Sequence, residues 1–173
     1  MRNHILVEAV SGLLFCSFFL LAPVAKAAPV ALTCVGAEAA EFTPGLTNTP
    51  QQVSFEGLGV FGCAGLPLGI VSATIETVGQ GTQSCLGANA DSLIEIKWSD
   101  DTTSLAEGST VVSLKPTGQN VVVLTAKIVE GRFEGATLVR TLTLLNTDPT
   151  GCFTPEGVTH VAGPATLVVT KAL

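Results

Sequence analysis

Tyrosine is missing from this chain, and tryptophan and methionine occur once each. Aromatic faces give a binding cleft large, rigid contact area. With Trp98 as the single indole, no carboxylate pair stands among the rings that usually grip a sugar. Positive charge is also scarce, with 8 Lys and Arg against 14 Asp and Glu. Nucleic acid rewards clustered Lys and Arg, and anionic lipid rewards polybasic segments, so neither is an expected partner. Histidine is limited to His4 and His160. The chain has no G-x-S-x-G and no C-x-x-C. The first absence removes a nucleophile elbow, and the second makes a zinc site improbable. No segment carries a sustained helical period. Ala37–Glu41 has helix-forming residues, but the tract is short and its neighbours are β-branched.

One long apolar run is present, and it lies at the start. Arg2 precedes an apolar stretch from Ala9 to Ala22, followed by Pro23 and Ala25-Lys26-Ala27. Small residues at Ala25 and Ala27 fit an A-x-A cleavage site, and the run is short for a membrane span of about 20 residues. The expectation is a signal peptide over 1–27, cut near Ala27–Ala28, and a secreted single domain over 28–173. The rival is an uncleaved anchor. A lipoprotein fits poorly, because Cys16 sits inside the run beside bulky Phe15. Removing Arg2, Lys26 and Glu8 leaves 6 basic and 13 acidic residues, a net charge of −7 with His neutral. The exported chain is therefore acidic.

Removing Cys16 leaves Cys34, Cys63, Cys85 and Cys152. An even count in an exported chain reads as two disulfides, with three pairings possible. Cys34–Cys63 and Cys85–Cys152 are favoured. Cys34 and Cys63 lie at similar distances from a Pro-rich centre at Pro44–Pro50, as on two arms of a hairpin. Cys85 and Cys152 fall in two predicted loops and would tie distant parts together.

The rest of the chain alternates with period 2. Gln119–Leu145 is its clearest stretch, two β-rich runs about Glu130-Gly131-Arg132. Val122, Leu124, Ala126 and Ile128 share one face of the first run, and Leu138, Leu142 and Leu144 one face of the second. Further strands are expected at Val30–Phe42, Gln52–Phe61, Ile70–Val78, Leu93–Trp98, Thr103–Leu114 and Val158–Ala172. Val71, Ala73 and Ile75 are expected on one face of the third strand. Thr43-Pro44-Gly45 with Asn48-Thr49-Pro50, Gly62–Gly69, Gly79–Asp91 and Asn146–Gly157 read as loops, and Ser99–Thr102 and Lys115–Gly118 as turns. About eight strands so punctuated predict an all-β, single-domain antiparallel β-sandwich or a flattened barrel.

Few residues invite chemistry. His160 lacks a nucleophile context and reads as a sheet histidine. Asp100-Asp101 could join a calcium site but is better read as a hairpin turn. Arg140 is the odd residue, since alternation puts it on the face of Leu138 and Leu142. It either snorkels out at a bulge or edge, or forms a buried pair, for which Glu134 has the right parity. Thr74, Thr77, Thr125, Thr141, Thr143, Thr166 and Thr170 are expected on outer faces. They read as the solvent side of a sheet rather than as an array for ice or polysaccharide.

Thr43–Gly57 (TPGLTNTPQQVSFEG), Ile94–Ser104 (IEIKWSDDTTS), Ile128–Ala136 (IVEGRFEGA) and Gly163–Thr170 (GPATLVVT) resemble segments of a group of small secreted actinobacterial β-rich proteins with paired cysteines. The resemblance covers essentially the whole chain after the leader. It implies an exported β domain and carries no catalytic residues. The reading is thus a non-enzymatic, disulfide-stabilised exported protein that presents a surface or binds an extracellular or cell-envelope partner. No catalytic, cofactor or metal residue is assigned. A small hydrolase or carbohydrate-active protein using Asp or Glu is the alternative. A protease inhibitor inserting Gly79–Asp91 is another.

Overall fold

The computed structural model describes residues 30–114, 120–144 and 150–171. The expected leader over 1–27 and the expected turn at Lys115–Gly118 lie outside the described residues. Eight strands follow in order: β1 (Val30–Leu46), β2 (Gln51–Leu66), β3 (Ser72–Ser84), β4 (Gly87–Trp98), β5 (Thr103–Leu114), β6 (Asn120–Gly131), β7 (Thr137–Leu144) and β8 (Val158–Lys171). A 3-10 turn at Gly151–Phe153 precedes β8. Each strand pairs antiparallel with the next, and β8 returns to pair with β1, closing a barrel. Of the two expected arrangements the chain adopts the barrel. β1 pairs with β2 over Ala31–Thr43 and with β8 over Val30–Glu41, so over that span neither of its edges is free.

Alternation explains the wall. Leu124, Ala126, Ile128, Leu138 and Leu142 point inward and are buried, as do Ile94, Ile96, Trp98, Leu167 and Val169. Glu95, Lys97, Glu107 and Lys127 are exposed on the outside of β4–β6. Charges of this kind are costly on a lipid-facing barrel wall, so that side faces water. The outer wall of β1–β2 differs, for Val35, Leu58 and Val60 stand exposed there. No helix among the described residues is long and apolar enough to cross a membrane.

Three expected loops are partly strand, while Asn48-Thr49-Pro50 and Pro67–Gly69 remain outside the strands as expected. β1 continues through Pro44 to Leu46, shifting its register on β8 between Glu41 and Leu46. β2 runs through Cys63 to Leu66. Gly79–Asp91 is mostly the end of β3 and the start of β4, with Cys85 and Leu86 as the turn between them. A Cβ at Gly79 would lie 2.4 Å from the Phe55 ring, and one at Gly81 2.2 Å from the Asn89 carbonyl. Those glycines permit close approach within the sheet rather than a loop. Gly79–Asp91 therefore offers no long inhibitory loop. Val71, expected on the face of Ala73 and Ile75, precedes β3 and is exposed.

Both favoured disulfides form. Cys34 sits directly opposite Cys63 in the β1–β2 ladder, with Cα atoms 4.0 Å apart. Cys85–Cys152 joins the β3–β4 turn to the segment before β8.

Candidate functional site

Eight strands enclose an interior just wide enough to be filled by side chains or to hold one small ligand. Here the two ends of the barrel differ. The end carrying the β2–β3, β4–β5 and β6–β7 connections is packed solid. Ile70 and Trp98 are buried there, and Phe133 meets the indole edge-on with ring centroids 5.1 Å apart. Trp98 Nε1 donates to Ser104 Oγ at 2.8 Å, and that hydroxyl donates to the Arg132 carbonyl. The Arg132 guanidinium lies over the Phe133 ring and reaches Asp100 at 2.7 Å. Thr102 Oγ1 also donates to Asp100, holding that carboxyl below its usual value. Asp101 occupies the turn at φ 62°. The Asp100–Asp101 pair thus serves the hairpin, as the turn reading expects.

At the opposite end the described residues leave a cavity. A cavity of about 100 Å³ opens between the core and the β1–β2, β3–β4 and β7–β8 connections. Ala40, Phe42, Phe55, Val122, Leu142 and Val161 give it an apolar wall. The Cys85–Cys152 bridge borders the mouth. Cys85 N–H donates to the Thr47 carbonyl at 2.8 Å, and Asn48 N–H donates to the Cys152 carbonyl at 3.2 Å. Three connections are thereby stitched into one rim.

A buried ion pair stands in the cavity wall. Arg140 is inward, as alternation requires, and neither a bulge nor an edge lets it out. Its partner is Glu38 of β1, not Glu134, which is exposed. Arg140 Nη1 lies 3.1 Å from Glu38 Oε1 and donates to Thr77 Oγ1 at 2.7 Å. Thr77 is 1% exposed, so it belongs to the interior and not to an outer face. Burial pushes the Glu38 carboxyl above its ordinary value, and the Arg140 charge opposes that push. Burial likewise draws the Arg140 guanidinium below its ordinary value, against the pull of Glu38. Glu38 Oε2 has no hydrogen-bond partner among the described residues.

Glu38 and Thr77 escaped the sequence reading, although the signal was present. Extending the period from Leu32 and Cys34 puts Glu38 and Ala40 inside β1. Extending it from Ala73 and Ile75 puts Thr77 inside β3. His160 stands on the outer side of β8, exposed, with Nδ1 3.9 Å from Glu41 Oε1. Comparison of the chain with protein-family models, curated proteins and solved structures finds no match.

Proposed function

We propose that this protein is an exported, non-enzymatic binding protein whose ligand occupies the mouth of the barrel. One observation carries the reading: the interior is tightly packed at one end and left as a walled, apolar cavity around a buried ion pair at the other. A barrel built only for stability gains by filling that space, since each void forfeits dispersion contacts. The stitched rim and the Cys85–Cys152 bridge hold the mouth in shape, which lowers the entropic cost of binding.

The leader-like sequence over 1–27 and the two disulfides, which persist in oxidising compartments, support export. Mass spectrometry of secreted material is expected to find an N-terminus at Ala28 or close to it. A membrane-bound product retaining Met1 would contradict the export assignment.

The binding assignment is tested with small apolar probes. A dry cavity of about 150 Å³ accepts benzene or xenon. Benzene added to the leader-free protein is expected to shift the methyl NMR signals of Val122 and Leu142. It should also raise the unfolding midpoint with concentration, by about 2.7 kcal/mol at a hundredfold excess over Kd. Ala40→Leu, which extends a wall side chain into the cavity, should remove both effects. Shifts confined to the outer strand faces would point to surface presentation instead.

A further inference from the structure

We infer that the ligand of this cavity carries a neutral hydrogen-bond donor, a hydroxyl or a primary amide, that reaches Glu38 Oε2. This rests on the binding reading above and names the chemistry of its ligand.

The Glu38 side chain is 2% exposed, and its two oxygens are used unequally. Oε1 is held by Arg140, whereas Oε2 is unpartnered among the described residues while its residue lines the cavity. A buried acceptor left unpaired has lost its water and received nothing in return. A donor supplied by the ligand would complete the carboxylate. Hydrogen bonds to charged groups are the stronger kind, so the head group would fix orientation as well as add affinity.

Charge selects among donors. Glu38 and Arg140 neutralise each other within 3.1 Å. A carboxylate ligand would meet Glu38 at close range, with the compensating charge of Arg140 already engaged. An ammonium ligand would bring a second cation beside Arg140. Either ion would also leave bulk water without a free counter-charge to receive it. A neutral donor avoids both penalties. The rest of the wall is mainly apolar, from Ala40, Phe42, Phe55 and Leu142, with Gln83, Ser84 and Thr110 as its other polar members. The cavity volume limits the buried part to a small ring or a short branched chain. Anything larger must project through the mouth past Cys85–Cys152.

The test is a matched series of one ring with five substituents: toluene, benzyl alcohol, benzamide, benzoate and benzylamine. Each is titrated into the leader-free protein and followed by the Val122 and Leu142 methyl signals. Benzyl alcohol and benzamide should bind about tenfold or more tightly than toluene, the ratio expected of one hydrogen bond to a charged group. Benzoate and benzylamine should bind no better than toluene. In the double variant Glu38→Leu/Arg140→Met, which removes acceptor and cation together, the ratio of benzyl alcohol to toluene affinity should fall to about one. Equal binding of toluene and the two neutral donors in the native protein would refute the head-group assignment and leave the cavity as a purely apolar site. Tightest binding by benzoate or benzylamine would overturn it in favour of an ionic ligand. If no member of the series bound, the binding reading would itself fall, and this inference with it.

Discussion

Replacing Arg140 by methionine is expected to destabilise the protein by about 3–5 kcal/mol at neutral pH, because it strands Glu38 as an uncompensated buried charge. Methionine keeps much of the volume, so most of that cost is electrostatic. The double variant Glu38→Leu/Arg140→Met should recover the loss and be neutral or more stable by about 1–4 kcal/mol. The single variant should also depend on pH. In the native protein the folded Glu38 carboxyl already sits above its unfolded value, the direction in which stability is fully present under acid and lost as pH rises through the folded pKa. Arg140 limits that loss by favouring the ionised form. Without Arg140 the folded carboxyl rises further, so the deficit of the variant should be small below the ordinary carboxyl range and widen toward neutrality. Denaturant midpoints across pH for native, single and double variants check this. A cost under about 1 kcal/mol in the single variant, or a deficit that ignores pH, would show that the pair is hydrated rather than buried.

Leu124→Ala should cost about 2–5 kcal/mol, while Thr125→Ala should stay within about 0.5 kcal/mol. Leu124 is 1% exposed and belongs to the central cluster of the packed core. It lies opposite Arg140 on β7 and Thr110 on β5, so truncation would open a void beside the ion pair. Thr125, its chain neighbour, is exposed on the outer wall. A strand slipped by one residue would exchange the two roles, which makes the contrast a test of register. The disulfides can keep a weakened chain folded, so the midpoint of denaturant unfolding is the proper readout. Equal costs at the two positions would mean that the outer wall of β6 is covered as well, pointing to a partner on that side.

How much of this molecule was legible along the chain can be argued from single residues. Leu124, Ile94, Ile96 and Leu167 lie inward because period 2 turns every second side chain the same way, a local property. The same rule gave Arg140 an inward parity, but the expected escape at a bulge or edge does not occur, and the side chain stays buried. An even number of cysteines after the apolar N-terminal run pointed to two bridges, and the near-equal arms about Pro44–Pro50 put Cys34 opposite Cys63. Loop and strand were harder to separate. Pro44, Gly79 and Gly81 carry a loop signature, yet each lies in a strand. At the two glycines what matters is how closely Phe55 and Asn89 approach from neighbouring strands. Closure lay beyond local pattern altogether. Sandwich and barrel share the same alternation, and they differ in whether β1 finds β8, a pairing between the two ends of the described chain. The site inherits that non-locality. Glu38, Thr77 and Arg140 sit on β1, β3 and β7, and they meet because the barrel closes around them. Alternation could place each of the three indoors, but the choice of Glu38 over Glu134 as the partner of Arg140 depended on which strands the closed wall brought face to face.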